Sequence, residues 1–264
     1  IKQLMGDDWD PFADPADGSA EGLDPEAKRT SAVEVKPQLS WAPPPAAVGP
    51  IRVACLHGTC SNGNILKVQL QRAAKLCGDK VEFIYLDGRM KSTKDNPVWE
   101  EMSRTFKGQE FYEWAEISAA SSIAERQYCD LETSLDFIQD LLRQHEPLDG
   151  IFGFSQGANM ASLLAAQAVA GEGVNFGFVI QSCAAGPGWV EQRPDLFMQK
   201  LPMRSLHISG KLDTNPPVPL VELYQEPFSL LHDDGHKVIP SSGGREEADF
   251  VAKTIADFVL SAAQ

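Results

Sequence analysis

The sequence predicts an α/β fold, a mostly parallel sheet with helices on both faces, and three observations carry that prediction. From residue 51 to about 262, short β-branched or aromatic runs alternate with helix-period segments. The runs are apolar throughout rather than at every second position, which marks strands buried from both sides. One run, "DGIFGF", turns through glycine directly into the alanine- and leucine-rich "SQGANMASLLAAQ" (residues 149–167). Strand followed by helix, repeated, places successive strands parallel, because each crossover returns the chain over the sheet.

Residues 1–49 stand apart as an acidic, proline-rich extension or linker closing on "SWAPPPAAVG". Such a segment buries too little apolar area to offset its ordering entropy, so it is expected to be disordered or loosely docked, with Trp9, Phe12 and Trp41 as candidate anchors. Residues 50–264 form the expected domain. Strands are predicted at 51–57, 81–87, 150–154, 176–183, 204–209 and 228–233. Helices are predicted at about 64–77, 121–145, 156–170, 217–225 and 244–262, the last placing Phe250, Val251, Ile255, Phe258 and Val259 at helical spacing. The long gap at 88–120 reads as a lid or substrate-binding insertion. Its Trp99, Phe111 and Trp114 are candidate acyl-pocket residues, the alternative being that its aromatics form a small core of their own.

Composition narrows the function. A formal net charge of −14 disfavours nucleic acid and anionic membrane surfaces as partners. No apolar run approaches the roughly 18 residues that span a bilayer. The five cysteines are an odd number with no C-x-x-C pair. They read as reduced thiols in a cytoplasmic protein without disulfides or a zinc site. Hydrophobic residues make up 43% of the chain, enough for a sizeable core. Ile1 in place of methionine is expected of a trimmed chain or a piece of a longer polypeptide.

Gly153-Phe154-Ser155-Gln156-Gly157 fits G-x-S-x-G, the strand-to-helix elbow that lifts a serine hydroxyl above a sheet edge. Glycine at 153 and 157 is required because a Cβ at either would collide across so tight a turn. At the start of a helix, Ser155 sits where free amides and the positive dipole end favour a developing oxyanion. A serine hydroxyl needs a base, and the base needs an orienting acid, here expected in the chain order serine, acid, histidine. "HISGKLDTNPP" places Asp213 in a loop after a strand; "LLHDDGHKVIP" places His236 after Gly235 in the next. Asp233 and Asp234 are competing acids, and His232 reads as a packed or solvent-facing strand residue. For the oxyanion hole the backbone amide of Gln156 is one donor. The loop "LHGTCSNGN" supplies the other, assigned to Thr59. His57 reads as a brace for that loop and Cys60 as a packed thiol.

Together "LHGTCSNG", "PLDGIFGFSQGANMA", "HISGKLDTNPP" and "DDGHKVIP" resemble the FSH family of serine hydrolases within the α/β-hydrolase superfamily, over residues 51 to about 262. The resemblance implies the α/β-hydrolase fold and a triad of Ser155, Asp213 and His236. It also implies esterase or thioesterase action on short to medium acyl groups, small-molecule or carrier-bound, through an acyl-enzyme intermediate. "HDDGH" departs from the family's usual proline- and glycine-rich turn before the histidine. Acyl-protein thioesterases share "GFSQG", but "HGTCSN" lacks their further glycine and acid. Two alternatives remain at this stage, a carboxylesterase of that kind and a noncatalytic binding domain on the same fold. The chemistry calls for no metal and no organic cofactor.

Overall fold

The computed structural model describes residues 41–264 except 46–47, 119–125, 185–188, 215–219, 242–243 and 263–264. Contacts divide the chain into Ile1–Gln38 and Leu39–Gln264, and every described residue belongs to the second unit. The candidate anchors Trp9 and Phe12 lie outside the described residues. Trp41, assigned by sequence to the extension, rests on the domain: its Nε1 donates to Asn175 Oδ1 at 2.9 Å, and Asn175 Nδ2 donates to Ala42 O at 3.2 Å.

Six apolar runs become strands: β1 (Ile51–Leu56), β2 (Val81–Leu86), β3 (Gly150–Phe154), β4 (Phe178–Ser182), β5 (Arg204–Gly210) and β6 (Pro227–His232). They form one sheet in the order β6-β5-β4-β3-β1-β2, and every pairing is parallel. The helices are α1 (Gly63–Cys77), α2 (Trp99–Thr105), α3 (Leu131–Arg143), α4 (Gln156–Ala170) and α5 (Gly244–Ala262). Side-chain alternation along the strands divides the core in two. Val53 and Cys55 of β1 face a layer with Leu66 and Leu70 of α1 and Val251 and Ile255 of α5. Ala54 and Leu56 face the layer holding Leu135 and Ile138 of α3 and Leu163 and Leu164 of α4. Of α4's residues only Ala170 is not buried, which accounts for a helix whose alanines and leucines show no polar stripe.

Two predicted helices are shorter than expected. The segment 121–145 resolves into α3 alone, with residues 121–125 outside the described set. Tyr128–Cys129 pairs instead as a two-residue strand with Glu116–Ile117, and Asp130 takes φ 50°, a left-handed conformation that stops helix propagation backwards from Leu131. Of 217–225, residues 217–219 are outside the described set, and Leu220–Leu223 forms a single 3₁₀ turn.

The gap at 88–120 contains α2 and a small antiparallel ribbon of Met90–Lys91 against Tyr112–Glu113. Phe111 packs edge-to-face on Trp99 with ring centroids 5.3 Å apart, and both join Cys60 and Ile65 in a satellite core.

Candidate active site

In open parallel sheets, ligands gather at the carboxyl ends of the strands where the strand order reverses direction. Here that switch lies between β1 and β3. The loop after β1 carries His57, Gly58 and Thr59; the turn after β3 carries Ser155.

The turn is the elbow expected from sequence. Ser155 takes φ 53°, ψ −119°, a conformation that side-chain-bearing residues seldom adopt and that costs about 1–3 kcal/mol when imposed. Close backbone approach imposes it. A Cβ on Gly153 would stand 2.3 Å from Gly157 O, and one on Gly157 would stand 2.3 Å from Leu56 O and 2.5 Å from His57 O. The Ser155 amide donates to Ser182 O at 2.9 Å, tying the corner to β4. As the cap of α4, Ser155 leaves the first amides of the helix, beginning with Gln156, without intrahelical acceptors. The loop after β1 lies alongside: a Cβ on Gly58 would sit 3.1 Å from Ser155 Cβ.

The acid and the imidazole come from the far side of the sheet. The loops after β5 and β6 are joined by backbone bonds, Lys211 N to His232 O at 2.8 Å and Leu212 N to Asp234 O at 3.0 Å. Gly210 permits that approach, since a Cβ there would lie 2.2 Å from Gly235 O. The join delivers Asp213 to His236, with Nδ1 and Oδ2 2.7 Å apart, the carboxylate almost buried and the imidazole 30% exposed. The imidazole reaches the elbow, its ring centroid 5.0 Å from that of Phe154, the residue before the serine.

The competing acids are engaged elsewhere. Asp233 pairs with Lys211, and Asp234 shapes its own loop, accepting from Gly235 N and Ser241 N at 2.7 Å each. His232 is buried and braces the same loop, its ring nitrogens set against Lys237 O and the Asp234 amide. His57 has Nδ1 2.7 Å from Gly58 O and accepts from Gly88 N at 3.0 Å through Nε2, which assigns the proton to Nδ1. Burial lowers its pKa to about 4, so it stays neutral and holds the loop. Cys183, Asp213 and His236 offer donor atoms within 4.8 Å of one another. A metal there would compete with the Asp213 bond for the imidazole, and burial pushes the Cys183 thiol up to about 12.

The three aromatics expected to line an acyl pocket separate. Trp99 is partly exposed, whereas Phe111 and Trp114 are 2% and 0% exposed and offer a ligand no surface. Phe111 is spent on the satellite core, and Trp114 packs beside His57 with its Nε1 donating to His57 O at 2.7 Å.

Two site features escaped the sequence reading. The Gln156 side chain does more than follow the nucleophile: its Oε1 accepts from Trp114 N at 2.8 Å and its Nε2 donates to Ala115 O at 2.7 Å. Glu113 gathers the Thr59 hydroxyl, Cys60 N (3.1 Å), Ser92 Oγ (2.6 Å) and Asn96 Nδ2 (2.7 Å) on one carboxylate. A lone glutamate within an aromatic-rich stretch gave no sequence signal for that role.

A parallel sheet with a strained serine elbow, flanked by a carboxylate–imidazole pair, defines an α/β-hydrolase. The chain belongs to the Serine hydrolase (FSH1) family, whose profile matches residues 47–247. It is 26% identical over 210 residues to Esterase C25G4.2 of Caenorhabditis elegans, covering 75% of this chain and 90% of that one. It is 28% identical over 222 residues to human Esterase OVCA2, covering 77% and 95%. Among solved structures, acyl-protein thioesterase 2 of Zea mays superposes with a TM-score of 0.53 at 17% identity, covering 82% of this chain and 96% of that one. At that identity the likeness speaks to the fold.

Proposed function

We propose that the protein hydrolyses carboxylic esters, and thioesters of similar shape, carrying short to medium acyl groups, with Ser155 as nucleophile, His236 as base and Asp213 as orienting acid. The hydrogen bond between His236 Nδ1 and Asp213 Oδ2, held within reach of the elbow, is the observation that carries the reading. Asp213 keeps the proton on Nδ1, so Nε2 is free to accept the Ser155 proton as Oγ attacks the acyl carbon. The amides of Gln156 and Thr59 receive the negative oxygen of the tetrahedral intermediate. As that intermediate collapses, the bond to the leaving alcohol or thiol breaks and the imidazolium returns the proton to it. Water, deprotonated by the same nitrogen, then attacks the acyl-enzyme and releases the acid and Ser155.

Esterase-named relatives support the ester class, and the carrier-bound acyl chain is the larger form the same chemistry would accept. The exposed part of Trp99 is the candidate acyl contact, with Phe111 packed edge-to-face behind it. The five free cysteines support a reducing, cytoplasmic setting. Among the described residues no helix is long and apolar enough to cross a membrane.

A fluorophosphonate probe tests the assignment. The wild type is expected to label once per chain and to turn over p-nitrophenyl esters, with both lost in Ser155→Ala. Labelling that survives the substitution would falsify it. A graded series of acyl esters and acyl thioesters then sets chain length and leaving group.

A further inference from the structure

We infer that residues 113–115 form a strap that sets the spacing between the two oxyanion donors, and that Glu113 is the positioning residue anchoring its Thr59 end. The inference rests on the reading above, in which the Gln156 and Thr59 amides receive the oxyanion.

The two donors stand on different elements, Thr59 past the end of β1 and Gln156 at the first turn of α4, which approach closely at Gly157 and Gly58. The strap joins them. At one end the Gln156 side chain makes two bonds to strap backbone, at Trp114 N and Ala115 O. At the other, Glu113 accepts from the Thr59 hydroxyl and the Cys60 amide. Between them Trp114 Nε1 is bonded to His57 O, and Ser61 and Tyr112 exchange backbone bonds at 2.7 and 3.4 Å. These contacts also select the donor. Of the amides from 59 to 61, that of Cys60 is taken by Glu113 and that of Ser61 by Tyr112 O, which among the described residues leaves Thr59's for a ligand.

A carboxylate near an oxyanion hole would ordinarily oppose charge on the substrate oxygen. Glu113 is arranged against that outcome: Ser92 Oγ and Asn96 Nδ2 join the Thr59 and Cys60 donors, so four donors share its negative charge. It therefore acts through geometry, holding a loop that includes Cys60 at φ 49°. Gly88 lets the strap seat, because a Cβ there would lie 2.5 Å from Glu113 O.

Glu113→Gln keeps the size of the side chain but turns an NH₂ toward groups that are themselves donors. The strap predicts a kcat loss of about 10- to 100-fold, below the cost of deleting a donor outright, with KM for a p-nitrophenyl ester unchanged within about twofold. Affinity for a trifluoromethyl ketone, which adds to the serine and places an oxyanion in the hole, is expected to fall in proportion to kcat. Active sites are counted by fluorophosphonate titration, so loss of folded protein cannot imitate the result. If Glu113→Gln does not fold, Ser92→Ala and Asn96→Ala each remove one donor to the carboxylate and are expected to lower kcat about two- to fivefold with the same split. Variants that keep wild-type kcat per titrated site, or lose ketone affinity and substrate KM alike, overturn the strap while leaving the hydrolase reading intact. A wild type that neither labels nor turns over removes that reading, and the strap with it.

Discussion

The two halves of the candidate centre are held by different forces. The elbow half, after β1 and β3, is fixed by backbone contact: Gly153 and Gly157 have no room for a methyl group, and Ser155 is locked at a positive φ. The acid–base half, after β5 and β6, adds to a backbone join at Gly210 a set of side-chain hydrogen bonds on loops that are partly open to solvent. Gly235, next to His236, shows the contrast, since a Cβ there would meet nothing closer than Leu212 O at 3.5 Å. Ser155 is therefore placed by sterics, whereas the imidazole of His236 is set by its hydrogen bond to Asp213. Filling the elbow glycines should cost folding, and loss of the Asp213 bond activity.

The largest expected effect belongs to the acid–base half. Asp213→Asn offers an amide to Nδ1, moves the imidazole proton to Nε2 and blocks its acceptance from Ser155. Turnover is expected to fall by about four orders of magnitude with the circular dichroism spectrum retained. If kcat drops less than tenfold, the carboxylate is not the orienting group.

Acid should attack the buried histidines next. Burial lowers the pKa of His57 and of His207 from 6.5 to about 4, so between those values the unfolded chain binds protons the folded one refuses. Stability is whole above pH 6.5, falls as pH drops through that window and levels off below 4. The full loss is on the order of 3 kcal/mol per histidine. Urea unfolding at a series of pH values measures the slope, and His207→Phe, which keeps an aromatic ring against Tyr224, is expected to halve it.

Third is the elbow itself. Gly157→Ala is expected to destabilise by about 3 kcal/mol or to prevent folding, because the methyl group would push into Leu56 O. A thermal melt compares it with Gly235→Ala, expected to stay within about 0.5 kcal/mol of wild type. Equal shifts would end the distinction drawn between the halves. Smaller than the elbow effect, Asp234→Asn gives up the 3.1 Å ion pair with Lys237 and weakens the Ser241 amide bond. About 1 kcal/mol of stability and a few-fold of kcat are expected to go, read by the same melt and a steady-state assay.

The same division explains what could be read from the chain. Strands such as β1, β3 and β5 declare themselves as apolar runs, and the elbow as a local pattern, because each is determined within a few residues. The pairing of Asp213 with His236 follows from their places in loops after neighbouring strands. Glu113 was not: its partners Thr59, Cys60, Ser92 and Asn96 meet it only after the ribbon closes, and no spacing along the chain encodes that meeting. Phe111 and Trp114 mislead for a related reason. Aromatic content marks a segment that buries surface, and burial against the domain's own loops looks the same in sequence as burial of a ligand. The helix expected from 121 rests on helical periodicity, whereas a left-handed Asp130 after a two-residue ribbon starts α3 at Leu131.

Cys183 lies at the end of β4 directly against the Asp213–His236 pair, in a left-handed conformation with φ 51° and 2% exposed. With burial pushing its thiol up to about 12, it offers electrophiles no sulfur anion although it borders the candidate acid–base pair. Maleimides and iodoacetamide should therefore pass the candidate centre by, and under the proposed function a covalent inhibitor is chosen to react with the Ser155 hydroxyl.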